Sequence, residues 1–287
     1  MVFDPKTNKY PYPEYTDEHY LKVNMNRGFV FDEQYPYIDN SASFRFKAFW
    51  VRVLLRTIVF PLAYARFGLK VKGRKNLKKH KNEIKNGVIS VSNHIHMWDY
   101  ICTMNAIRPI KPHVLVWAPN VNGESGPLVR LVGGIPIPED NLPATIKYMD
   151  VVKNYLNSGG WLHVYAEGSM WEYYGQIRPF KKGAFYFASQ NHKPIIPLAY
   201  SYRKPSWWRR VFFKQIATLT VSIGEPIYPD ENLSMKDREI DLTKRAHSAV
   251  CQLSMTNPEE NLYEPIFNKS KRIDYYTTEY GVGYKAK

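Results

Sequence analysis

Val88-Ile89-Ser90-Val91-Ser92-Asn93-His94-Ile95-His96-Met97-Trp98-Asp99 is the stretch on which the reading of this chain turns. The apolar run Val88–Val91 has the length and the β-branched content of a buried strand. A histidine follows just where that strand ends, and a carboxylate follows five residues later. On a regular helix, positions i and i+5 point about 140° apart, so the two side chains would diverge. They meet only if His94 lies in the turn and Asp99 on the first turn of the next helix. A helix start carries partial positive charge, which disfavours imidazolium and keeps the ring able to take a proton. Asp99 then accepts the other ring N–H, fixes the tautomer and stabilises the imidazolium that forms in a reaction.

Outward from this stretch, strands alternate with helices. Strands are expected at Val88–Val91, His113–Trp117, Trp161–Tyr165, Ile195–Tyr200 and Ala217–Ile223. Helices are expected at Asp99–Ala106, Leu128–Leu131, Leu142–Leu156, Ala184–Gln190 and Leu242–Met255, the last ended by Asn257-Pro258. This pattern predicts an α/β fold, with a central mixed, mainly parallel sheet flanked by helices. Gly73-Arg74-Lys75-Asn76-Leu77 reads as a strand end and turn.

Before the sheet region, Phe44–Phe67 is apolar but interrupted by Arg45, Lys47, Arg52, Arg56 and Arg66. Its longest uncharged run, Thr57 to Ala65, is well short of the ~20 residues a bilayer span needs. At 100° per residue Arg45, Arg52 and Arg56 share one stripe, and Phe46, Val53 and Phe60 lie opposite. The segment therefore reads as a basic amphipathic helix ended near Pro61, suited either to a headgroup layer or to packing on the rest of the protein. The expected organisation is a Tyr/Pro-rich arm at 1–43, the basic amphipathic membrane-associated segment at 44–67, an α/β domain at 68–256 and an aromatic, basic tail at 257–287.

Composition bounds the partners. The chain of 287 residues carries a net charge of +14 and is 44% hydrophobic. It has enough apolar content for a core, and its charge suits a phosphate-bearing or anionic partner. The Lys and Arg residues are dispersed and no nucleic-acid reading motif is present, so nucleic acid is not the expected partner. The polar, Tyr/Pro-rich start does not read as a signal peptide. Two cysteines, Cys102 and Cys251, make no disulfide framework and point to a reducing compartment. Cys102, near His94, is read as a small buried side chain rather than a nucleophile. His94 and His96 lack further partners at ligand spacing, so no metal site is expected. Ser169 lies in Glu167-Gly168-Ser169-Met170-Trp171, which lacks the second glycine of a nucleophile elbow.

Three more blocks follow in order: Gly133-Gly134-Ile135-Pro136-Ile137-Pro138, then Val164-Tyr165-Ala166-Glu167-Gly168-Ser169 with Phe180-Lys181-Lys182-Gly183-Ala184, then Lys193-Pro194-Ile195-Ile196-Pro197-Leu198. With Asn93-His94-x4-Asp99 they resemble the 1-acylglycerol-3-phosphate acyltransferases and their glycerolipid acyltransferase relatives, over roughly 87–230. The resemblance implies transfer of a fatty acyl group from acyl-CoA or acyl carrier protein, as co-substrate and without a cofactor, to a lysolipid hydroxyl. It implies His94 as base and Asp99 as its orienter, with no covalent intermediate. Asn93, Gly134, Ile135, Glu167, Gly168 and Ser169 fall on the substrate-binding blocks, Glu167 in the acceptor site. Gly133 and Gly134 serve equally as a close backbone passage.

Several positions depart from the family pattern. Pro138-Glu139-Asp140 stands where many members carry a phosphate-gripping arginine. Ser169-Met170 stands where Thr-Arg is usual, and Ala166 replaces proline. Arg130, Arg178, Lys181 and Lys182 are the nearby cations expected to compensate, Lys181-Lys182 being equally suited to a solvated turn. The sequence thus predicts a lysolipid acyltransferase peripheral or monotopic on the cytoplasmic face of the cell membrane, against anionic lipids. The competing expectation is a catalytically inactive relative that binds lipid head groups.

Overall fold

Val88–Ser92 is buried at every position, so its side chains are covered on both faces, as a central parallel strand requires. The computed structural model describes residues 27–139, 141–171, 174, 177–213, 215 and 217–254, and the backbone of Ile273–Thr278 and Gly281–Ala286. Its strands are β1 (Lys70–Lys72), β2 (Val88–Ser92), β3 (His113–Trp117), β4 (Gly134–Ile137), β5 (Trp161–Tyr165), β6 (Ile195–Arg203) and β7 (Thr218–Ile223), followed by a hairpin of β8 (Ile273–Thr278) and β9 (Gly281–Ala286). Its helices are α1 (Ala42–Leu54), α2 (Phe60–Phe67), α3 (Arg74–Lys79), α4 (Lys81–Ile84), α5 (Asp99–Ala106), α6 (Ala118–Asn122), α7 (Gly126–Leu131), α8 (Leu142–Asn157), α9 (Gly183–Asn191), α10 (Trp207–Phe212) and α11 (Met235–Ser254).

The seven-stranded sheet has the order β1-β7-β6-β2-β5-β3-β4. All pairs are parallel except β6 with β7. This is the mixed, mainly parallel α/β architecture expected. One core lies under α8, α9 and α11 and joins Ile89, Leu162, Val152, Phe185 and Leu242. Another covers the opposite face through Val88, Cys102, Ile107, Leu198 and Val221. Cys102 is buried there, and burial pushes its thiol up.

Several boundaries differ from the sequence expectation, each for a local reason. Gly73 follows the end of β1 at Lys72 with φ 79°, but Arg74–Leu77 is not a turn; it lies in helix α3. α11 begins at Met235 rather than Leu242. Ser234 accepts the Asp237 N–H, and its hydroxyl donates to the Asp237 carboxylate, a reciprocal cap that starts the helix earlier. The expected stop at Asn257-Pro258 lies outside the described residues, as do residues 1–26 of the arm. Of that arm, Tyr37 is buried in the core, and Arg130 donates to the carbonyls of Pro36 and Tyr37.

Helix formation does not stop near Pro61. Between α1 and α2 a π-helical turn, Leu55–Val59, widens the helix, and the Phe60 N–H reaches back to the Leu55 carbonyl. The widened turn relieves the clash that a proline ring makes with the preceding turn. The result is a continuous helical run, Ala42–Phe67, 26 residues long and apolar enough by length and composition to cross a membrane. The extra residue also rotates the faces. Phe46 is 66% exposed while Phe60 is 4% exposed, so they do not share the stripe that a constant 100° step predicts. Leu55 and Phe60 pack on Met104 and Val132 of the domain.

Candidate functional site

Adjacent β2 and β5 end side by side, with Ser92 paired to Tyr165. His94 and Glu167 therefore emerge together at the carboxyl edge of the sheet, where open α/β sheets take ligands. The turn Asn93–Trp98 connects β2 to α5. Asn93 clamps its start: its side-chain amide donates to the Tyr200 carbonyl at 3.0 Å and accepts the Tyr200 N–H at 2.8 Å. Asp99, at the first position of α5, folds the turn over itself. Its Oδ2 accepts the N–H groups of Ile95 (2.8 Å) and His96 (3.0 Å) and meets Nδ1 of His94 at 3.1 Å. The i,i+5 pair is thus brought together by placing one member in the turn and the other in the helix.

The His94 ring stacks on Tyr165 with centroids 3.8 Å apart and planes inclined 16°. It is 23% exposed, whereas Asp99 is fully buried. Since Asp99 engages Nδ1, Nε2 is the nitrogen available to an incoming group. Burial, reinforced by Arg178 and opposed by Glu167, pushes His94 down to about 3, which holds the imidazole neutral. Burial pushes Asp99 up to about 7, against the pull of His96 and the two backbone donors.

Behind this pair sits a buried polar cluster that the sequence did not reveal. Ser90 lies 2.9 Å from Nδ1 of His163, and the indole N–H of Trp161 donates to the Ser90 hydroxyl at 2.8 Å. Burial, with His94 second, pushes His163 down to about 3. A signal existed: Ser90 and His163 are polar residues at inward positions of otherwise apolar strands.

Glu167 points inward. Oε2 accepts the His94 backbone N–H at 3.1 Å and an Arg178 N–H at 2.7 Å, while Oε1 accepts the Arg178 backbone N–H at 2.7 Å. Arg178 also donates to the Ser169 hydroxyl at 2.7 Å and to its carbonyl, and its guanidinium lies over Trp171 at 4.4 Å. Glu167, Ser169 and Arg178 are all buried. Arg178 was expected as a compensating grip on an acceptor phosphate; the structure corrects this, because it is sealed behind Glu167. Likewise Glu167 and Ser169 present no free oxygen outward. Arg130 is spent on the arm and on the Gly134 carbonyl.

Other expected binding residues are also packed. Ile135 is buried in the core, and Asn93 is spent on β6. At Gly134 an added Cβ would meet Val129 Cγ1 and the Val129 carbonyl oxygen, each at 2.7 Å, so the absent side chain allows a close backbone passage there. Gly168, at φ 80°, lies beneath the Lys181 side chain. Lys181 and Lys182 stay exposed at the start of α9. His96 accepts the Trp98 N–H on Nδ1 and packs edge-on against Phe67 at 5.0 Å. No cluster able to hold a metal is present among the described residues.

A small open cleft lies between α1, the π turn and the connection from α5 to β3. Arg52, Arg56, Arg108 and Lys111 surround its apolar floor of Leu55, Phe60 and Met104. None of these four cations has an ion pair among the described residues. The sequence reading took Arg52 and Arg56 as part of a helix face and did not single out Arg108 or Lys111.

Fold and site together define an α/β protein that carries a neutral, aspartate-backed histidine at the edge of a mainly parallel sheet. The family model described as Acyltransferase matches residues 68–201. The 1-acyl-sn-glycerol-3-phosphate acyltransferase of Limnanthes douglasii is 27% identical over 57% of this chain and 56% of that protein. The human 1-acyl-sn-glycerol-3-phosphate acyltransferase alpha is 27% identical over 64% of this chain and 66% of its own length. The chain thus matches a little over half to about two thirds of these curated relatives. The crystal structure of the 1-acyl-sn-glycerophosphate (LPA) acyltransferase PlsC from Thermotoga maritima aligns at TM-score 0.45 and 15% identity, over 75% of this chain and 90% of that one. Residues 68–201 are thus similar to acyltransferases.

Proposed function

We propose that this chain is an O-acyltransferase that moves a fatty acyl group from acyl-CoA or acyl carrier protein to the hydroxyl of a lysolipid of the 1-acylglycerol-3-phosphate type. The observation that carries this reading is the Nδ1–Oδ2 approach of 3.1 Å between His94 and Asp99, with the ring open on its other side. Nε2 takes the proton of the acceptor hydroxyl as its oxygen attacks the thioester carbon. The tetrahedral oxyanion collapses, the C–S bond breaks, and the leaving thiolate takes the proton back from the imidazolium. Asp99 stabilises that imidazolium without leaving its backbone donors.

Backbone N–H groups suit the developing oxyanion. The Gly168 N–H is spent on the Tyr165 carbonyl and the Asp99 N–H on the His96 carbonyl, each at 3.0 Å, so the proposed donors are other backbone N–H groups near the first turn of α5 or the Glu167-Gly168 turn. The working position is the cytoplasmic face of a membrane carrying anionic lipids, with the protein peripheral or monotopic. Leu55 and Phe60 pin the helical run Ala42–Phe67 to the domain, so lipid cannot surround it, which favours lying along the surface over crossing.

Incubating the purified protein with labelled acyl-CoA or acyl carrier protein and a panel of lysolipids tests the reading. Acylation of one acceptor class is the expected result, and no transfer to any acceptor overturns it. A second reading, an inactive headgroup-binding module, draws on Arg130 and Arg178 being committed to structure. It predicts vesicle or headgroup binding without turnover, unchanged by His94→Ala.

A further inference from the structure

Between β6 and β7 the chain inserts Ser206-Trp207-Trp208-Arg209-Arg210-Val211-Phe212-Phe213. Five of its large apolar side chains face solvent: Trp207 (66%), Trp208, Val211, Phe212 (72%) and Phe213. A soluble surface rarely concentrates such exposure in one short segment. The segment is not loose. Arg209 donates to the Ala65 carbonyl at 2.8 Å and to the Gln215 side-chain oxygen at 3.0 Å, and the Gln215 amide donates to the Arg66 carbonyl. These bonds fasten α10 to the end of α2. Phe67, at that same end, packs against His96 and Trp98 of the catalytic turn.

The outer face of α1–α2 carries its own exposed row, including Phe46, Trp50, Leu54, Ile58 and Leu62. Arginines border both rows: Arg45, Arg56 and Arg66 on the first, Arg210 on the second. Aromatic side chains flanked by cations are what a bilayer interface with anionic head groups accepts.

We propose that α10 is a second membrane-inserting element, which enters the headgroup layer of an anionic bilayer together with α1–α2 and holds the mouth of the His94 site against lipid. One element alone lets the domain pivot on the surface; two elements joined at Ala65 and Arg66 fix its orientation. The proposal rests on the membrane-surface part of the function above, and not on acyl transfer.

The test uses the full chain with vesicles of phosphatidylcholine, alone or doped with phosphatidylglycerol. A polarity-sensitive fluorophore is attached at Phe212→Cys in a Cys251→Ser background, Cys102 being buried. Its emission is expected to shift to the blue on doped vesicles, and co-sedimentation of Trp207→Ser/Phe212→Ser/Phe213→Ser is expected to weaken about tenfold or more. The triple variant is expected to acylate detergent-dispersed acceptor at the wild-type rate. If wild type binds doped vesicles while the probe stays unshifted and the triple variant binds equally, α10 is not an insertion element and the α1–α2 contact stands. If wild type binds no vesicles, the membrane-surface reading falls with it. If instead the wild type dimerises in solution through this face and the triple variant is monomeric, the occupant is a second copy and the proposal is overturned.

Discussion

Glu167 accepts the backbone N–H of His94 at 3.1 Å, tying the tip of one central strand to the tip of its neighbour. Arg178 closes the other side of the same carboxylate, and both side chains are essentially without solvent contact. The glutamate therefore positions the His94 turn from behind. Removing one partner of such a pair leaves an uncompensated buried charge. Glu167→Ala is expected to cost about 3–5 kcal/mol of stability, read by denaturant unfolding. Glu167→Ala/Arg178→Met is expected to cost less than the sum of the single changes. Additive losses would mean that the two groups act independently.

Asp99→Asn keeps an acceptor for the Ile95 and His96 N–H groups but removes the charge opposite the imidazolium. Turnover is expected to fall by about 10²–10⁴ with the fold intact. The wild-type kcat/KM should rise with pH through a limb that belongs to the His94–Asp99 pair, because the ionised carboxylate and neutral ring are the active form. Burial raises Asp99 and lowers His94. Deleting the carboxylate leaves only the depressed histidine, so the limb should move to lower pH. A limb that stays in place would separate Asp99 from the proton transfer.

His163 makes acid stability a reporter of the cluster behind the site. Its folded value, about 3, lies below the ordinary histidine value. As pH falls from about 6.5 the unfolded chain takes up the proton first. The stability held by the neutral ring is complete above that pH and is lost progressively towards the folded value. His163→Gln is expected to flatten the decline of Tm between neutral and mildly acid pH; an unchanged slope contradicts the assignment.

Gly134→Ala separates packing from ligand binding. The new methyl would meet the Val129 backbone oxygen at 2.7 Å. A loss of about 1–3 kcal/mol is expected from overpacking, with the KM for acceptor unchanged in the folded fraction. A raised KM at unaltered stability would return Gly134 to the binding site.

The strand at Val88, the turn at His94 and the helix at Asp99 were legible because a buried parallel strand, a breaker-free turn and an acidic first helical turn each leave a local mark. The direction in which Glu167, Ser169 and Arg178 face was not. A loop arginine and a loop glutamate read as ligands from spacing alone, and only the packing of Glu167, Ser169 and Arg178 at the strand ends decides that they bind each other. The continuation past Pro61 was hidden because a π turn has no composition signal distinct from an α-helix. α10 was missed because six helical residues are too few to show a period.

The central claim is that the His94 imidazole takes the acceptor proton. Single-turnover transfer from labelled acyl-CoA to a lysophosphatidate-type acceptor, wild type against His94→Ala, tests it most directly. The account predicts a loss of about 10²–10⁴ in the transfer rate, with the melting transition and acceptor affinity retained. Transfer at the wild-type rate by the folded His94→Ala protein would contradict it.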